Sequence, residues 1–162
     1  APAGLTIVIV KKELAGRELP FTPLMLNWKT EIDKDSMYNT PPCWCIYMLG
    51  LVCDWLEEQG GVPGMEKIKH QKAQILYDVI DNSKIFTCPS QIGSRSDMNV
   101  VFRTASEELD ALFVKESTAA GLDNQKGHRN VGGMRAYIYN AMPMEKKKKL
   151  CAFIQEFDKR NS

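Results

Sequence analysis

The chain has 162 residues, 44% of them hydrophobic and 25% charged, with a formal net charge of +1. That length carries one domain with a real core, or parts of two. A near-neutral balance removes the global attraction expected of a nucleic-acid or acidic-membrane binder. No apolar run is long enough to span a bilayer, since the most apolar window, residues 43–53, runs at once into Asp54, Glu57 and Glu58.

Residues 5–10 are a near-continuous run of β-branched apolar side chains, the pattern of a strand covered on both faces inside a parallel sheet. Nothing downstream supplies a full set of partner strands, so the chain is expected to be the later part of a larger protein. Residues 17–37 mix prolines with apolar and charged residues without sustained periodicity and read as a loop-rich excursion. It ends at Tyr38-Asn39-Thr40-Pro41-Pro42, where Thr40 suits an N-cap and Pro41 the first helical position. The helix that follows should carry Trp44, Met48, Leu51, Val52 and Trp55 at helical spacing and stop at Gly60-Gly61.

A second helix is expected over residues 63–81, with Met65, Ile68, Ile75, Leu76, Val79 and Ile80 on its apolar side and lysines on much of the other. Residues 85–88 and 98–103 then read as strands, and Ser106 as the cap of a helix bearing Leu109, Leu112 and Phe113. Residues 134–139 read as a further strand. A last helix carries Leu150, Phe153, Ile154 and Phe157 on one face, and the lysine run 146–149 reads as its solvated side. The order is α/β, with a boundary between lobes somewhere in residues 60–75.

Five cysteines lack paired spacing, and neither they nor His70 and His128 form a metal-ligand pattern. They read as reduced, mostly buried thiols in a reducing compartment. Two loci remain. In residues 126–141, His128, Arg129 and Arg135 surround Gly132-Gly133. Arginine presents a fixed fork of donors that matches a carboxylate or phosphate, so these residues could grip two anionic groups of one small molecule. The plain alternative is a surface loop with three solvated cations. The second locus is Asn39-Thr40 at the helix entry, where side-chain and backbone donors could hold a phosphate.

Taken in order, Tyr38-Asn39-Thr40-Pro41-Pro42, Gly60-Gly61, Tyr77-Asp78-Val79-Ile80-Asp81, Met98-Asn99-Val100 and the run from Lys126 to Ala136 resemble the phosphoserine aminotransferase family over essentially the whole chain. The resemblance implies the C-terminal part of a fold-type I, pyridoxal 5'-phosphate-dependent aminotransferase: residues 1–65 would end the large, mainly parallel α/β/α domain, and residues 66–162 would form the small α/β domain. It implies a cytoplasmic homodimer with active sites at its interface. That enzyme would pass an amino group between glutamate and 3-phosphohydroxypyruvate in serine biosynthesis. Neither nucleic acid, membrane nor metal has a part in it. Carried over by the same resemblance, Asn39 and Thr40 would reach the cofactor phosphate of the neighbouring subunit. His128 and Arg129 would serve the distal anion of the substrate, and Arg135 its α-carboxylate. No lysine in the chain matches the Schiff-base position, which is expected just upstream of residue 1. These 162 residues alone are therefore expected not to transaminate. The competing reading is a stand-alone, non-catalytic domain that binds small anions or a partner through the same arginines.

Overall fold

The computed structural model describes residues 3–162 and separates into two units, Ala1–Gln59 and Gly60–Ser162. In the first unit two 3-10 turns (Lys12–Leu14 and Leu24–Leu26) lead to α1 (Trp28–Asp33). This short helix lies inside the stretch expected to be loop. Asn27 starts it, its side-chain oxygen accepting from the Thr30 N–H at 3.1 Å. At six residues it is too short to leave a periodic signature.

α2 (Cys43–Glu58) begins three residues later than Thr40, so Thr40 is not its cap. Pro42 excludes its neighbour Pro41 from the helical region. Pro42 itself sits at φ −76° and ψ 72°, and the Cys43 N–H closes a tight turn onto the Pro41 carbonyl at 2.8 Å. The chain thus enters α2 by an inverse γ-turn.

Residues 5–10 form no strand, because no other segment of the described chain offers them a ladder. No described residue of the first unit is buried, and Ile9 and Trp44 are 97% and 66% exposed. Phe21, Leu26 and Tyr47 are likewise exposed.

The second unit has a conventional core. α3 (Gly61–Asp81) starts after Gly60, whose φ of 89° only a residue without Cβ adopts freely. β1 (Asn99–Phe102) pairs antiparallel with β2 (Met134–Tyr137), Val100 opposite Ala136 and Phe102 opposite Met134. α4 (Glu107–Ala119) is capped as expected by Ser106, whose hydroxyl accepts from the Leu109 N–H at 3.2 Å. α5 (Met144–Asn161) closes the unit. Val100, Phe102, Met134, Ala136 and Ile138 turn inward from the sheet onto Leu76 and Ile80 of α3 and Ile154 and Phe157 of α5. Phe113 of α4 stands at the centre, its ring 5.2–5.7 Å from those of Phe86, Phe102, Phe153 and Phe157.

Residues 85–88 make a single bridge, Thr87 with Arg103, instead of the expected strand. Side chains compete for their donors. The Ile85 N–H donates to the Asp158 carboxylate at 3.1 Å, and the Phe86 N–H to the Ser83 hydroxyl at 2.9 Å. The lysine faces also need correction. Lys72 and Lys147 are buried, 5% and 3% exposed, and the Lys72 ammonium donates to the Asn140 carbonyl at 2.9 Å. Of the five free thiols, expected to be mostly buried, only Cys151 is buried, and Cys43 and Cys53 are exposed on α2.

Candidate substrate and cofactor site

Arg135 stands on β2 between two core residues, Met134 and Ala136, so strand alternation turns it to the opposite face of the sheet. Tyr137 shares that face, and the Arg135 guanidinium carbon lies 4.8 Å from the centre of its ring. This aromatic support was not singled out from the sequence, although the Arg-x-Tyr spacing in a strand already places both on one face. Arg135 is half-buried, its Nε buried without an acceptor, and its guanidinium makes no hydrogen bond or ion pair with a described residue. Arg95 and Arg160 behave differently. They pair with Asp81 and Glu116 at 2.6–2.7 Å.

His128 and Arg129 belong to a loop closed at its base by the Gly127 N–H donating to the Gly133 carbonyl at 2.8 Å. Inside it the Val131 and Gly132 N–H groups both donate to the His128 carbonyl at 2.9 Å, and the Asn130 N–H donates to His128 Nδ1 at 3.3 Å. A side chain at Gly127 would collide with the Gly132 carbonyl oxygen. Gly133, at φ 66°, lets the loop pass the β1 backbone, where a Cβ would meet the Phe102 oxygen at 2.9 Å. The glycines therefore serve close approach of backbone to backbone. Beside the loop, α4 contributes Ala111, Val114 and Lys115 to a cleft of 840 Å³ that His128 and Arg129 also line. Arg135 is not among the residues that line it.

Asn39 and Thr40 lie in the first unit, exposed on the turn ahead of α2. The Asn39 carboxamide makes only a long contact, 3.5 Å, to the Thr40 carbonyl. A hydroxyl and a carboxamide so little engaged suit the oxygens of a cofactor phosphate, and the free N–H groups at the start of α2 add positive dipole to that end. His70 Nδ1 lies 2.7 Å from the Asp97 carboxylate. No group of metal-ligating side chains occurs among the described residues, and no helix there is long and apolar enough to cross a membrane.

The family described as aminotransferase class-V matches residues 1–150. The chain belongs to that family. It is 52% identical over 161 residues to the phosphoserine aminotransferase of Laribacter hongkongensis, covering 99% of this chain and 45% of the relative. With the phosphoserine aminotransferase of Listeria monocytogenes it is 51% identical over 156 residues, covering 96% and 43%. Among solved structures, the phosphoserine aminotransferase of Bacillus circulans subsp. alkalophilus superimposes with a TM-score of 0.90 at 42% identity, over 94% of this chain and 43% of the other. The pyridoxal-phosphate-bound enzyme of Trichomonas vaginalis superimposes with a TM-score of 0.80 at 34% identity, over 85% and 39%. The α/β fold is thus that of these class-V aminotransferases, and the chain spans less than half the length of the relatives it matches.

Proposed function

We propose that the chain is the C-terminal portion of a pyridoxal 5'-phosphate-dependent phosphoserine aminotransferase, exchanging an amino group between glutamate and 3-phosphohydroxypyruvate in serine biosynthesis. Arg135 carries the reading: a half-buried guanidinium, braced on Tyr137, with its Nε unpartnered. A guanidinium so placed suits a ligand carboxylate better than bulk solvent. The similarity to phosphoserine aminotransferases over nearly the whole chain supports the choice of substrate. Residues 1–65 belong in this reading to the large cofactor-binding domain and residues 66–162 to the small domain. The enzyme is a cytoplasmic homodimer, and the Schiff-base lysine belongs to the larger part of the protein that these residues do not span.

The bound cofactor supplies the electron sink for chemistry at the substrate α-carbon. Asn39 and Thr40 hold its phosphate in the neighbouring subunit. Arg135 takes the α-carboxylate in its fork and fixes the direction of the α-C–H bond, an orientational contribution to the rate. His128 and Arg129 hold the distal anion, in a site completed by two subunits. A doubly charged phosphate gains more from an arginine and a histidine than a single carboxylate does.

Alanine substitutions in the complete enzyme test this division. Arg135→Ala should weaken glutamate and the phosphorylated substrate alike, by about 2–4 kcal/mol of transition-state binding. Arg129→Ala should weaken the phosphorylated substrate well beyond glutamate. Equal losses for both substrates in both variants would contradict it.

A further inference from the structure

Arg103 follows β1 and faces the loop that carries His128 and Arg129. Its backbone is fixed by exchange with Thr87, N–H to carbonyl at 2.9 Å and the reverse at 2.8 Å. Its Nη2 donates to the Val131 carbonyl at 3.2 Å, across 28 residues of sequence. Among the described residues, this is the one side chain outside the loop that hydrogen-bonds to residues 128–132. Its Nε is buried and finds no acceptor, so the bond to Val131 is the guanidinium's one commitment to the described protein. The approach is close, since the Cβ of a side chain at Gly133 would lie 3.2 Å from the Arg103 Cβ.

The loop has two ties. The bond from Gly127 to Gly133 closes its base, and Arg103 holds the far end at Val131, two residues beyond Arg129. We propose that Arg103 is a positioning residue for the distal-anion site: by tethering Val131 it sets where His128 and Arg129 stand, and so the enzyme's selectivity for a phosphorylated over a carboxylate side chain. This rests on the functional reading above. A tether of this kind acts mainly on the ligand that needs two converging cationic groups, because a small displacement of a donor pair costs a bidentate contact more than a single one.

The test uses Arg103→Ala and Arg103→Lys in the complete, cofactor-loaded enzyme. Arg103→Ala should raise KM for the phosphorylated oxo-acid about tenfold. KM for glutamate should rise much less, and kcat should fall less than KM rises. Arg103→Lys, which keeps a cationic donor, should restore part of the difference. Amide exchange at residues 131–133 should quicken in Arg103→Ala while β1 and β2 stay protected. A purely structural role predicts faster exchange with an unaltered ratio of the two KM values, and that result would overturn the proposal. Unchanged loop exchange, in an enzyme that does use the phosphorylated substrate, would overturn it as well. Failure of the unmutated enzyme to use that substrate would instead overturn the functional reading, and the selectivity claim with it.

Discussion

Replacing Lys147 with methionine should stabilise the second unit at neutral pH. Lys147 is 3% exposed on α5, and burial holds its amine down near 8 against an ordinary 10.5. The neighbouring Lys72 ammonium on α3 adds to the depression, while Cys151, one turn along α5, opposes it. A depression of that size costs the folded state about 3 kcal/mol wherever the lysine must be charged. The sign follows from proton counting. Between about pH 8 and 10.5 the unfolded chain holds a proton on this lysine that the folded chain has released, so stability rises with pH across that window. Below pH 8 the full cost is present. Methionine has similar length and no charge, so Lys147→Met should recover up to about 3 kcal/mol at pH 7 and flatten the rise toward pH 10. The Cys151 thiol, pushed up by burial, loses stability over part of the same interval, so the informative quantity is the difference between variants. Amide exchange of α5 at several pH values in the complete protein measures it. Parallel pH profiles for the two proteins, or a less stable Lys147→Met at pH 7, would refute the reasoning.

Two further substitutions test the packing and the loop. Phe113→Ala removes the ring that touches four other phenylalanines and should cost about 3–5 kcal/mol, read by denaturant unfolding of the second unit; a loss below about 1 kcal/mol would mean the cluster is not the core. Gly127→Ala forces a side chain into the Gly132 carbonyl, so the loop must open and KM for the phosphorylated substrate must rise, whereas Gly132→Ala meets open space and only the strain of its φ of 73°. Similar KM values for these two alanine variants would show that the loop base does not position His128 and Arg129.

Much of the second unit was legible because its signals are local. Ser106 ahead of Glu107 and Glu108 marked the start of α4, and Gly60-Gly61 marked the break between α2 and α3. The failures have physical causes that one-dimensional patterns do not carry. A proline pair moved the start of α2 past Thr40 through backbone sterics. Asp158, 73 residues away, took the Ile85 N–H, and Ser83 the Phe86 N–H, that residues 85–88 needed for a ladder. Lys147 sits in a run of four lysines, and only its angular position on α5 sends it inward. Residues 5–10 have the composition of a buried strand but no strand beside them among the described residues. In the site, arginine chemistry and glycine spacing pointed to His128, Arg129 and Arg135 as candidates for anion binding. The ring under Arg135 and the hydrogen bond from Arg103 to Val131 depend on register and loop closure.

The most direct test compares phosphoserine with serine as amino donor to 2-oxoglutarate in the complete, cofactor-loaded enzyme and in its Arg129→Ala variant. In the unmutated enzyme kcat/KM should favour phosphoserine by at least about a hundredfold, since a site built around a phosphate loses its paired charges with the smaller substrate. Most of this preference should disappear in Arg129→Ala. Equal use of the two donors by the unmutated enzyme, or a preference that survives loss of Arg129, would contradict the proposed function.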